Sequence, residues 1–144
     1  MTVLVQDPIR VGVVLGTRPE AIKLAPVIDA LRSRPGYEPV VISTGQHRDL
    51  VEPLLGHFGI VADVDLALMT EGQGLADLAG QAISRIAAAL DDADIDVVIV
   101  QGDTSTALAG ALAGFYRRIP VAHVEAGLRT DDRLSPSRRR SIAA

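Results

Sequence analysis

Cysteine is missing from this chain, and tryptophan with it. Without a thiol there can be no disulfide, no thiolate metal site and no cysteine nucleophile. Aromatic residues are scarce, two Phe and two Tyr in 144 positions, which favours an aliphatic α/β core of Ala, Val, Leu and Ile over an aromatic-rich β-sandwich. Lysine is nearly absent too. A single lysine, Lys23, stands beside thirteen arginines, and 18 acidic residues against 14 basic ones leave a net charge of −4. No phosphate-tracking basic surface is implied, so no nucleic-acid partner is expected. His47, His57 and His123 lack ligand spacing, and no metal is expected. The first ten residues include Asp7 and Pro8 and have no basic segment followed by an apolar one, so they do not read as a leader. Apolar runs such as Val97 to Val100 are far too short to cross a bilayer. A cytoplasmic protein with no membrane partner is the expectation.

What is present is a strand-helix alternation repeated along one domain's length. Val11 to Leu15 is a continuous apolar run, β-branched at its centre, of the kind buried on both faces of a parallel sheet. Thr17 and Glu20 then form a capping-box pair ahead of Leu24, Ile28 and Leu31 at helical spacing. Pro26 deletes an amide inside that helix and predicts a kink or loosened turn near Lys23. Pro39 to Ser43 predicts a second strand, residues 49–58 a helix with Leu50, Leu54 and Leu55 on one side, and residues 63–66 an edge strand. From Leu75 to Leu90 apolar residues recur at three and four, predicting a helix. Asp96 to Val100 is a fourth strand, Leu108, Leu112 and Phe115 mark a further helix, and Pro120 to Val124 a fifth strand. The fold class is therefore α/β: a Rossmann-like open parallel sheet with helices on both faces, in strand order 3-2-1-4-5.

Right-handed crossovers put the C-terminal ends of all strands on one rim. That rim collects Gly16-Thr17-Arg18, Gln46-His47, Gly102-Asp103-Thr104 and the run His123 to Arg129. Taken singly, each has a plain reading. Glu20 is a capping glutamate or an i,i+3 partner of Lys23, Asp103 and Thr104 are N-cap residues, and His123 is a core histidine. Taken together, glycines, helix N-termini, Arg18 and Lys23 favour an anionic ligand at the switch point between the strands ending at Leu15 and Gln101. Neither Gly-x-Gly-x-x-Gly nor a Walker A loop is present, so a dinucleotide or P-loop nucleotide reading has no fingerprint.

Four blocks carry a resemblance: Gly16 to Lys23, Gln46-His47-Arg48, Gly102-Asp103-Thr104, and His123 to Thr130. In this order and spacing the chain resembles, from about Arg10 to Pro136, the N-terminal domain of the non-hydrolysing UDP-N-acetylglucosamine 2-epimerases. The resemblance implies half of a glycosyltransferase-B-type double-Rossmann fold, with UDP held mainly by a second domain. It implies interconversion of UDP-GlcNAc and UDP-ManNAc by elimination and re-addition of UDP, in cell-envelope polysaccharide biosynthesis, without a cofactor. By motif position, Asp103 and Glu125 match two catalytic carboxylates, and Arg18, Lys23, His123 and Arg129 match substrate-binding positions. Gln46, with His47 beside it, matches a position that in some bacterial members contacts an activating second UDP-GlcNAc. Asp49 and Gly72 stand where those members carry Gln and Arg.

The pattern departs near the end, where the family continues from Ser-Pro into an aromatic-Pro-Glu-Glu segment. Here Ser135-Pro136 leads into Ser137-Arg138-Arg139-Arg140, and Arg139 stands in place of a third catalytic carboxylate. The expectation is an epimerase domain over residues 1–134, a frayed basic tail over 135–144, no UDP-binding C-terminal domain and negligible turnover by itself. The alternative is a non-catalytic nucleotide-sugar-binding or assembly module. Its expected partners are UDP-GlcNAc or UDP, and a second copy or a separate C-terminal half.

Overall fold

A computed structural model describes residues 7–68, 72 and 74–127. Strand β1 (Ile9–Leu15) leads into helix α1 (Arg18–Arg32), followed by β2 (Tyr37–Ser43), α2 (Arg48–His57), β3 (Val64–Asp65), α3 (Leu75–Asp92), β4 (Val97–Gln101), α4 (Ser105–Arg117) and β5 (Val121–Val124). All five strands pair in parallel in the order β3-β2-β1-β4-β5, as the alternation predicts. β1 lies centrally, in register from Ile9 opposite Tyr37 to Leu15 opposite Ser43. The β1 and β4 ends define the switch point.

The period-two alternation of a strand divides the core in two. Val11, Val13 and Leu15 of β1 and Val41 of β2 face α1 and α2, where Leu24, Ile28, Val51 and Leu55 cover them. Val14, Val40, Ile42, Val98 and Val100 face the other way, toward Ala82, Ile86 and Leu90 of α3 and Ala107, Ala109 and Ala113 of α4. Each fully buried Leu or Ile here contributes roughly 1.5–3 kcal/mol relative to exposure.

Three local expectations give way to packing. Helix α1 runs unbroken through Pro26. Its missing bond would have gone to Ile22, which is exposed, so water can satisfy that carbonyl. In α4, Phe115 is 72% exposed and the buried face is instead Thr106, Ala107, Ala109, Gly110, Ala113 and Gly114. A Cβ on Gly110 would lie 2.8 Å from Val100, and one on Gly114 would lie 2.6 Å from Val121. The helix sits so close to the sheet that only small residues fit between them. The periodic set is likewise trimmed at the helix ends, because Leu50 of α2 and Leu75 of α3 are exposed while Val51 and Leu55 are buried.

Candidate functional site

Gly16 follows β1 and is wedged under the end of β2. A Cβ there would fall 2.0 Å from Thr44 Oγ1 and 2.7 Å from Thr106 Oγ1. With no side chain in the way, the two hydroxyls approach to 3.4 Å over the β1 end. Thr106 Oγ1 also donates to Gln46 Oε1 at 3.3 Å. Gln46 therefore belongs to the lining of a small cavity of about 160 Å³, together with Thr44, Leu68, Leu78, Ser105 and Thr106. His47 is the exposed N-cap residue of α2. Arg48 turns to Glu52 at 2.7 Å and to Asp65 at 3.2 Å. The Glu52 hydrogen bond, and then the charge of Asp65, hold its guanidinium proton more firmly than usual.

On the opposite side of the β1 end, Thr17 caps α1 and Glu20 lies in its first turn. The Glu20 carboxylate is wholly buried. Its Oε2 accepts from the Gly16 amide at 2.8 Å, the Thr17 amide at 2.7 Å and the Thr17 hydroxyl at 2.9 Å. Its Oε1 accepts from the Thr104 hydroxyl of the β4–α4 loop. Of the two readings open for Glu20, capping is the observed one, since Lys23 pairs elsewhere. Thr104 is itself the N-cap of α4, accepting from Ala107 at 3.0 Å.

Lys23 projects one turn further along α1 and donates to Glu125 Oε2, as does the Gln101 side-chain amide. Lys23 and Glu125 remain 46% and 38% exposed, so their pair is open to an incoming ligand. Glu125 carries a left-handed backbone, with φ of 57°. That conformation costs a non-glycine residue about 1 kcal/mol or more and is typical of constrained functional positions. Glu125 directly follows β5, and its carboxylate meets Lys23. His123 donates through Nε2 to the Gly102 carbonyl at 2.6 Å, tying the β5 end to the β4–α4 loop. Asp103 is exposed on that loop between Gly102 and Thr104, and Arg18 is exposed at the first position of α1.

The switch point thus gathers Arg18, Lys23, Asp103, His123 and Glu125. Arg129, Arg139 and the stretch 135–144 lie outside the described residues. Sequence reasoning passed over Gln101, whose amide holds Glu125, and gave Glu20 only a local role. The available signal for Gln101 was an amide closing an otherwise apolar strand. Among the described residues no group of three or more His, Asp or Glu could hold a metal ion. No helix there is long and apolar enough to cross a membrane.

A family model described as UDP-N-acetylglucosamine 2-epimerase matches residues 29–139. The chain belongs to the UDP-N-acetylglucosamine 2-epimerase family. It is 50% identical over 127 residues to the UDP-N-acetylglucosamine 2-epimerase of Salmonella typhimurium, covering 88% of this chain and 34% of that one. The crystal structure of the Neisseria meningitidis UDP-GlcNAc 2-epimerase bound to UDP-GlcNAc superposes with a TM-score of 0.85 at 45% identity, over 90% of this chain and 35% of that one. The Methanocaldococcus jannaschii UDP-GlcNAc 2-epimerase in complex with UDP-GlcNAc and UDP gives 0.79 at 37% identity, over 87% and 34% of the two chains. The chain therefore spans about a third of the length of the epimerases it matches.

Proposed function

We propose that this chain is the sugar-facing N-terminal part of a UDP-GlcNAc 2-epimerase that works on cytoplasmic UDP-sugars. The observation that carries the reading is the cluster at the switch point, where an exposed Lys23–Glu125 pair stands beside the loop that bears Asp103. Epimerisation at C2 by elimination needs these residue types. A base takes the C2 proton as the C1–oxygen bond breaks, UDP departs with that bonding pair, and a 2-acetamidoglucal remains. The reverse step returns a proton to C2 from the other face while the UDP oxygen re-forms its bond to C1. Arg18 and Lys23 supply positive charge for the departing diphosphate, and Asp103 and Glu125 supply proton-handling and charge-stabilising carboxylates.

Under this reading the 144 residues alone are catalytically incomplete, because Arg139 replaces a glutamate of the family pattern. The principal UDP contacts would belong to the second half of a glycosyltransferase-B-type fold. Incubation of the purified chain with UDP-GlcNAc, followed by separation of sugar nucleotides, is expected to yield no UDP-ManNAc above background. Formation at an enzyme-like rate would refute the incompleteness.

A second reading, a non-catalytic nucleotide-sugar-binding or assembly module, draws on Phe115 and Tyr116, which are 72% and 64% exposed side by side on α4. It would pair with a second copy or a separate C-terminal half. A strictly monomeric chain by light scattering, together with no response to UDP-GlcNAc, would count against it.

A further inference from the structure

We propose that Glu20 is a positioning residue for the site, a buried carboxylate that fixes the distance between the cations at the start of α1 and the carboxylate of the β4–α4 loop. A charged side chain is almost never fully buried unless it is partnered, and the hydrogen-bond partners of Glu20 are all neutral donors. Three of its four hydrogen bonds serve its own loop, and these already complete the start of α1. The fourth reaches Thr104, 84 positions away, and helix capping has no need of it. The Thr104 hydroxyl is used in both directions, accepting from Ala107 to cap α4 and donating to Glu20. One relay therefore joins the N-termini of the two helices that flank the switch point. Arg18 lies two residues before Glu20 and Lys23 three after it, while Asp103 adjoins Thr104. A displacement of either loop would change the spacing of cation and carboxylate, and misplacement by about 1 Å can reduce a reaction rate a hundredfold.

The functional half of this inference rests on the epimerase reading, and the structural half does not. The test uses ¹⁵N-labelled chain with Glu20→Ala, Glu20→Gln and, as a control for lost stability, Ile28→Ala in the buried face of α1. Glutamine keeps a carbonyl for the three local donors and can reverse the link by donating to the Thr104 hydroxyl. Glu20→Ala should move the amide resonances of Gly102, Asp103 and Thr104, and weaken any response to UDP-GlcNAc by about tenfold or more. Glu20→Gln should restore both, and Ile28→Ala should leave the 102–104 resonances in place. Movement confined to residues 16–23 in Glu20→Ala, or equal movement at 102–104 in Ile28→Ala, would overturn the proposal. If Glu20→Ala does not fold, Thr104→Ala reads the same link from the other end, through the amides of Gly16 and Thr17. Unmoved amides there would overturn it as well. Should the unsubstituted chain not respond to UDP-GlcNAc while Glu20→Ala still moves 102–104, the sugar-facing role given to this part of the epimerase falls and the coupling stands.

Discussion

Glu20 is wholly buried in the first turn of α1 and accepts four hydrogen bonds, whereas Glu125, just past β5, is exposed on a left-handed backbone and shares one oxygen between Lys23 and Gln101. The two glutamates border the same crevice. The buried one has its lone pairs committed to holding loops together. The exposed one keeps its carboxylate within reach of solvent and of a ligand, and the backbone around it carries the strain. Burial and donor count, rather than residue type, separate an architectural carboxylate from one available for chemistry.

The largest effect that could break this comparison is on stability. Glu20→Ala should cost about 3 kcal/mol or more in urea denaturation, since it leaves buried amides and hydroxyls without their acceptor. A loss under about 0.5 kcal/mol would mean that Glu20 holds nothing. Gly16→Ala should follow at about 2 kcal/mol, because its Cβ would meet Thr44 Oγ1 at 2.0 Å and force the hydroxyl pair apart. Unchanged thermal unfolding would show that the loop has slack. Glu125→Gly should go the other way, gaining up to about 1 kcal/mol by relieving the left-handed backbone. The same variant should lose the response to UDP-GlcNAc, and retention of that response would remove Glu125 from the site. Lys23→Met should have the smallest effect on stability, within about 0.5 kcal/mol, since a half-exposed ion pair is largely screened. A larger loss would place Lys23 with Glu20 among the architectural residues.

Much of the fold was legible because five strand-like apolar segments alternate with helical ones, and right-handed crossovers leave few ways to order them. The described rim residues were legible for the same reason, as each lies at or just past a strand end. Helix faces were less so. Leu108, Leu112 and Phe115 marked the helix, but α4 approaches the sheet through Gly110 and Gly114 and leaves Phe115 exposed, because close approach selects small residues over large ones. Pro26 was expected to kink or loosen α1, and the helix continues past it to Arg32. The cavity at Gln46 also escaped the sequence, since it depends on Thr44 and Thr106 meeting over a glycine from a third segment.

By itself the sequence determined the alternation, the strand order and the set of polar residues at the rim, because these follow from local periodicity and chain handedness. Only the tertiary structure decided which of those residues touch. Lys23 is 102 positions from Glu125, Thr104 is 84 from Glu20, and Gln101 is 24 from Glu125. Such contacts arise when parallel strands bring distant loops onto one edge, and no local propensity encodes them.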